Sequence, residues 1–115
     1  MYRFLNFVVL AGMFCAFMGC GASVGVEGIV VGGPCVNSTD CDGQSRCLRD
    51  DDFPEGTCAV NCSRHEDCPD GTRCVDKEGG VCLLNCELPS DCRGGYTCKG
   101  KKNESGGGES LVCIE

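Results

Sequence analysis

Residues 62–82 read CSRHEDCPDGTRCVDKEGGVC, and the spacing of cysteine in this stretch decides the fold. Four cysteines divide it into two gaps of five residues and a third gap of seven. The same spacing occurs in residues 35–58 and again in residues 86–113, with third gaps of 10 and 14 residues. Linkers of three residues join successive units. Self-similarity at this short period predicts an array of three small repeated units.

Cysteine content indicates that covalent links stabilise these units. The chain carries 14 cysteines in 115 residues, above the share of about 8–10% that marks a disulfide scaffold. It has no Trp and few large apolar side chains beyond residue 19, so hydrophobic burial alone cannot offset the conformational entropy of folding. Disulfides, at about 2–4 kcal/mol each, are expected to supply the rest. Because such bonds persist in oxidising compartments, the composition also indicates export.

The fold class expected is small and disulfide-rich, with short β-hairpins, irregular loops and little helix outside the leader. Four cysteines in one unit allow three pairings. We expect the first to bond the third and the second to bond the fourth, because interleaved bridges tie the hairpin to the loop that follows. The expected bridges are Cys35–Cys47, Cys41–Cys58, Cys62–Cys74, Cys68–Cys82, Cys86–Cys98 and Cys92–Cys113.

The N-terminal region has the features of an export signal. Residues 1–19, MYRFLNFVVLAGMFCAFMG, combine Arg3 with an apolar run that is too short to span a bilayer but typical of a signal peptide. Cys20 lies outside the repeat and follows Gly19, which resembles the lipobox of bacterial lipoproteins, so we expect Cys20 to be acylated. Ordinary cleavage near Gly21 is the alternative. Residues 20–34 are rich in Gly and Val and predict a flexible tether, with a short strand at residues 29–31 as the other interpretation.

The units share more than cysteine. Asp40, Asp67 and Asp91 each precede the second cysteine, and Gly56 and Gly80 each lie two residues before the fourth. Asp and Gly are typical of turns, so a structural role is favoured for both. The pattern resembles the Dickkopf N-terminal cysteine-rich domain and, more loosely, EB and WAP-type modules. Dickkopf domains carry ten cysteines in one unit, whereas here four repeat three times. The resemblance therefore implies a disulfide-rich extracellular module and no particular binding residue.

Other chemistry has little support in the sequence, and we expect no catalytic residue, no metal site and no cofactor. Zinc sites favour close cysteine pairs together with His, but His65 is the single histidine and lies in a polar stretch that predicts a solvated surface residue. Asp50, Asp51 and Asp52, with Glu55 beyond them, could form a weak calcium site, although a charged loop is the preferred interpretation.

These patterns predict a non-enzymatic, membrane-anchored protein of the outer membrane or cell surface, or alternatively a secreted one. The expected partners are the membrane, through the N-terminal lipid, and a protein or glycan ligand. The net charge of −7 disfavours nucleic acid. The second hypothesis is a small disulfide-rich protease inhibitor that uses a loop such as residues 48–57. The long gap of the third unit, residues 99–112, is a further candidate for recognition.

Overall fold

The computed structural model of the protein describes residues 23–115. The expected signal peptide and Cys20 lie outside the described residues. Six short strands form three antiparallel hairpins, and within residues 23–115 no helix is long and apolar enough to cross a membrane. The strands are β1 (Arg46–Leu48), β2 (Thr57–Asn61), β3 (Thr72–Val75), β4 (Val81–Leu84), β5 (Thr97–Lys102) and β6 (Glu109–Ile114).

Each unit repeats one local design, a single 3-10 turn followed by a hairpin. The turns are Ser38–Asp40, His65–Asp67 and Pro89–Asp91. In every hairpin the third cysteine lies directly opposite the fourth across the two strands. The small, disulfide-rich fold with short hairpins and little helix is thus confirmed.

The disulfides join these facing cysteines to the turns and not to each other. The third cysteine of each unit bonds the first, and the fourth bonds the second, which is the pairing expected from the sequence. The Cα–Cα distances are 5.9 Å in the three first-to-third bridges. The recurrence of one geometry in all three units shows that the cysteine spacing specifies the local fold.

Successive units are joined by backbone pairing at their linkers. Strand β2 runs past its hairpin and pairs with β4, so that Val60 faces Cys82, which gives the sheet order β1-β2-β4-β3. The next linker repeats this contact, because Asn85 bridges Val112 of β6 and the Cys86 N–H donates to the Leu111 carbonyl. The three units therefore form one continuous body.

Residues 23–34 contradict the expected tether. The Gly32 N–H donates to the Cys58 carbonyl, the Cys58 N–H donates to the Gly33 carbonyl, and Val31 is fully buried. Gly33 thus pairs with the fourth cysteine of unit 1 as Val60 pairs with that of unit 2. The glycines suggested flexibility, but backbone hydrogen bonds fix the segment on unit 1. The other interpretation, a strand at residues 29–31, is also wrong, because Ile29 and Val30 lie in a turn and Val31 forms an isolated bridge with Val24.

One apolar core draws on all three units. It contains Leu48 and Phe53 from unit 1, Val75 and Leu83 from unit 2, and residues of β6 such as Ile114, all with 3% exposure or less. A smaller cluster packs Val31 against the cysteines of unit 2. No unit could bury these side chains alone, which is typical of repeat arrays.

Steric hindrance explains why glycine stands two residues before the fourth cysteine in units 1 and 2. Gly56 and Gly80 have φ values of 74° and 102°. A Cβ atom on them would lie 2.1 Å from the Cys35 carbonyl oxygen and 2.3 Å from the Cys62 carbonyl oxygen, respectively. In unit 3 this position is Leu111, which lies within the longer strand β6 and has no such requirement.

Candidate functional site

The three 3-10 turns are held by the same aspartate clamp. The Oδ2 atom of Asp40, Asp67 or Asp91 accepts hydrogen bonds from the backbone N–H groups three and four residues earlier, at 2.8–3.3 Å. These bonds favour the ionised carboxylate, so backbone donation from Val36 and Asn37 lowers the pKa of Asp40. Donation from Glu87 and Leu88 likewise lowers the pKa of Asp91.

The structural role expected for these acids is therefore confirmed, and each carboxylate closes the loop that precedes it in the chain. The clamp fixes the residues between the first and second cysteines of each unit. Their backbone is held by these hydrogen bonds although most of them lie exposed on the surface.

A second repeated contact joins the turn to the hairpin, and it includes the histidine. The first residue of the 3-10 turn accepts the N–H of the third cysteine: Ser38 Oγ from Cys47 at 3.2 Å, and His65 Nδ1 from Cys74 at 3.0 Å. Pro89 occupies this position in unit 3 and offers no side-chain acceptor. The prediction that His65 is a solvated surface residue was wrong, because its ring is half-buried and satisfies a backbone donor.

A third position repeats in all three units, and the sequence analysis did not predict it. The residue four places after the second cysteine is buried in every unit and carries a hydroxyl that donates to a backbone carbonyl. Ser45 donates to Val30, Thr72 donates to Pro69, and Tyr96 donates to Pro54. The shared hydroxyl was the available signal, but Ser, Thr and Tyr do not look alike in a repeat aligned by residue type.

The loop of residues 48–57 packs across unit 3. Phe53 is 1% exposed in the shared core, and the Tyr96 hydroxyl donates to the Pro54 carbonyl at 2.9 Å. Arg93 donates to the Tyr96 hydroxyl at 2.7 Å and to the Gly56 carbonyl, and its guanidinium lies 4.7 Å from the Tyr96 ring. Burial raises the pKa of Tyr96. These contacts hold the loop of residues 48–57 against unit 3.

Two of the three carboxylates in the acidic triplet of this loop bond to other groups of the protein. Asp52 forms an ion pair with Lys77 of unit 2, and its N–H donates to Asp50 Oδ1 at 2.8 Å. The hydrogen bond from Lys77 lowers the pKa of Asp52, and the same contact raises the pKa of Lys77. The charged-loop interpretation is supported for Asp50 and Asp52, whose carboxylates already have protein partners.

The candidate recognition loop of unit 3 is mostly strand. Lys102 and Glu104 contact unit 2, because the Asp76 N–H donates to the Lys102 carbonyl and the Glu104 N–H donates to the Cys74 carbonyl. Lys99 Nζ donates to the Glu115 carbonyl at 2.8 Å. Residues 105–109 at the tip are exposed. Only this tip projects from the body.

The cysteines of each unit lie close enough together to suggest a metal cluster. The Sγ atoms of Cys35, Cys41 and Cys58 all lie within 4.8 Å of one another, and units 2 and 3 contain equivalent groups. All of these sulfurs belong to disulfides. A metal ligand must be the thiolate, so the proximity reflects two neighbouring bridges in each unit.

Comparison with known proteins identifies no relative. No family model matches the chain, and neither a curated protein nor a solved structure matches it. The resemblance to the Dickkopf N-terminal domain therefore stays a prediction from the cysteine pattern.

Proposed function

We propose that this chain is a non-enzymatic, membrane-anchored extracellular protein that binds a protein or a surface glycan. The observation that carries the proposal is the repeated clamp, which holds three surface turns in one backbone conformation while their side chains differ. Unit 1 presents Val36 and Asn37, unit 2 presents Arg64 and Glu66, and unit 3 presents Leu88 and Pro89. Conserving a rigid frame while varying the exposed side chains suits recognition.

Two of these exposed side chains are large and apolar. Val36 is 68% exposed and Leu88 is 60% exposed, although both belong to rigid turns. Ordering a residue on binding costs free energy, and a turn already fixed by its clamp avoids that cost. Disulfide bonding supports the extracellular compartment, because such bonds persist where the environment is oxidising.

The protease-inhibitor hypothesis finds less support. An inhibitor needs an exposed loop that a protease accepts as substrate, but the loop of residues 48–57 is bound to unit 3 through Phe53 and Pro54. A panel of proteases assayed with the oxidised protein distinguishes the two hypotheses.

The anchor is tested by the intact mass of the protein purified from membranes of its native host. We expect a chain that begins at an acylated Cys20 and contains twelve oxidised cysteines. A chain that retains the leader, or an unmodified Cys20, contradicts the anchor.

Recognition is tested separately with two variants, Val36→Asp and Leu88→Asp. Both changes fall on exposed side chains and should leave the fold intact by circular dichroism. We expect at least one of them to reduce binding of the labelled protein to the host surface. Unchanged binding by both variants would argue against recognition through the turns.

A further inference from the structure

Ser23 lies three residues after the proposed lipid anchor and is already part of the folded body. Its carbonyl accepts the N–H groups of Val30 at 2.9 Å and Val31 at 3.3 Å. Val31 is fully buried, so Ser23 is tied to the core and not to a loose tether. The link from Cys20 to Ser23 can extend at most about 11 Å, whereas a tether reaching Cys35 could have extended about 50 Å.

That distance is comparable with the thickness of the polar layer of a membrane. The headgroup region adds roughly 5–8 Å to each side of the hydrocarbon core. Acyl chains on Cys20 enter the hydrocarbon and hold that residue at the interface. A link this short holds Ser23 within a few ångströms of the headgroups.

Two apolar side chains are exposed beside the anchor, on either side of the exposed Glu27. Val26 is 42% exposed and Ile29 is 51% exposed, and both lie within six residues of Ser23. Ile29 is close to Ser23 in space as well, because the Ser23 carbonyl accepts hydrogen bonds from the two residues that follow Ile29. The Ile29 carbonyl accepts the Asp42 N–H at 2.8 Å, which fixes this segment on unit 1.

We propose that Val26 and Ile29 form a second membrane contact that lays the folded body directly on the lipid surface. This inference rests on the proposed acylation of Cys20. The lipid holds the chain at the interface, and the two side chains enter the zone between headgroups and acyl chains. The turns of the three units are then presented at a fixed orientation to the membrane. Glu27, exposed between them, and the net charge of −7 favour zwitterionic over anionic lipid.

In the test, a lipid is attached chemically to Cys20, so that the result does not depend on natural acylation. Residues 20–115 contain every described residue, and Cys20 is their one cysteine outside the six disulfides. One myristoyl chain coupled to the Cys20 thiol gives only marginal binding, with a constant of about 10⁴ M⁻¹. Any added contribution from Val26 and Ile29 is therefore measurable by co-sedimentation with phosphatidylcholine vesicles.

Each side chain should strengthen partitioning roughly three- to tenfold, because about half of its surface is available for burial. We expect Val26→Ser and Ile29→Ser each to weaken binding by that factor, and Leu111→Ser, at a site in unit 3 that is 50% exposed, to leave it unchanged. Equal binding by all three variants and the parent would overturn the proposal.

A fluorescence measurement provides an independent readout. The chain has no Trp, so Val26→Trp introduces a single reporter, and Leu111→Trp is its matched control. In vesicles of brominated phosphatidylcholine we expect blue-shifted, quenched emission from Trp at position 26 and neither effect at position 111. Identical emission from the two would overturn the proposal. The intact mass of the native protein tests acylation itself, so failure of the anchor is distinguishable from failure of the contact.

Discussion

Replacing Gly80 by Ala should destabilise the protein far more than replacing its neighbour Gly79. Both glycines have positive φ, 82° at Gly79 and 102° at Gly80. A Cβ atom at Gly79 meets nothing within 4 Å, whereas one at Gly80 lies 2.3 Å from the Cys62 carbonyl oxygen. The pair separates the cost of left-handed backbone from the cost of a steric clash.

The magnitudes follow from these two environments. Left-handed backbone costs an L-residue roughly 1–2 kcal/mol, which is the whole effect expected for Gly79→Ala. Gly80→Ala adds the cost of forcing two backbone segments apart, about 1–3 kcal/mol. That movement also strains the bond from the Cys62 N–H to the Gly80 carbonyl, worth about 1 kcal/mol. We expect Gly80→Ala to cost about 2–4 kcal/mol more than Gly79→Ala.

The assay is unfolding by guanidinium chloride with the disulfides intact, followed by circular dichroism and extrapolated linearly to water. Peptide mapping should first show that both variants keep the bridges Cys62–Cys74 and Cys68–Cys82. Equal losses of stability in the two variants would refute the reasoning. The glycine before the fourth cysteine would then be needed for its φ alone.

Three further predictions concern other contacts. His65→Ala should lower the free energy of unfolding by about 1 kcal/mol, because it leaves the Cys74 N–H without its acceptor. His65→Ser should recover part of this loss, since Ser38 is the equivalent acceptor in unit 1. Equal losses of stability for the two variants in denaturant unfolding would contradict this prediction. EDTA should leave the circular dichroism spectrum of the folded protein unchanged, whereas dithiothreitol should convert it to that of an unfolded chain. The reverse result would indicate a metal cluster. Because burial raises the pKa of Tyr96 in the folded state, its contribution to stability is complete below pH 10 and is lost as pH rises through the folded pKa. The alkaline loss of stability should therefore be smaller in Tyr96→Phe, and an unchanged alkaline limb would exclude this linkage.

Local structure was largely predictable from the sequence, and tertiary contacts were not. Cysteine spacing predicted the units, the hairpins and the pairing, because five-residue gaps recur and each bridge constrains a short loop. The sequence was misleading at residues 23–34, where glycine indicated flexibility. Those glycines instead allow the segment to fold closely on itself: a Cβ atom on Gly32 would lie 2.2 Å from the Gly25 carbonyl oxygen. His65 was misjudged because its partner, the N–H of Cys74, is a backbone group that no residue pattern reveals.

The unequal third gaps also have a tertiary explanation. Repeat arrays leave an apolar face uncovered at each end. Here the backbone of Gly32 and Gly33 pairs with Cys58 at the open edge of unit 1, while Val31 packs against the cysteines of unit 2. At the other end Ile114 is fully buried, and the Glu115 N–H donates to the Asp52 carbonyl at 3.0 Å.

The ten-residue gap of unit 1 thus reaches across to close unit 3, and Phe53 fills the space between them. The fourteen-residue gap of unit 3 lengthens its hairpin until Lys102 and Glu104 bond back to unit 2. Unit 2, enclosed on both sides, needs only seven residues. Gap length therefore follows the position of each unit in the array. The third gaps of units 1 and 3 thus supply contacts that join the three units into one body.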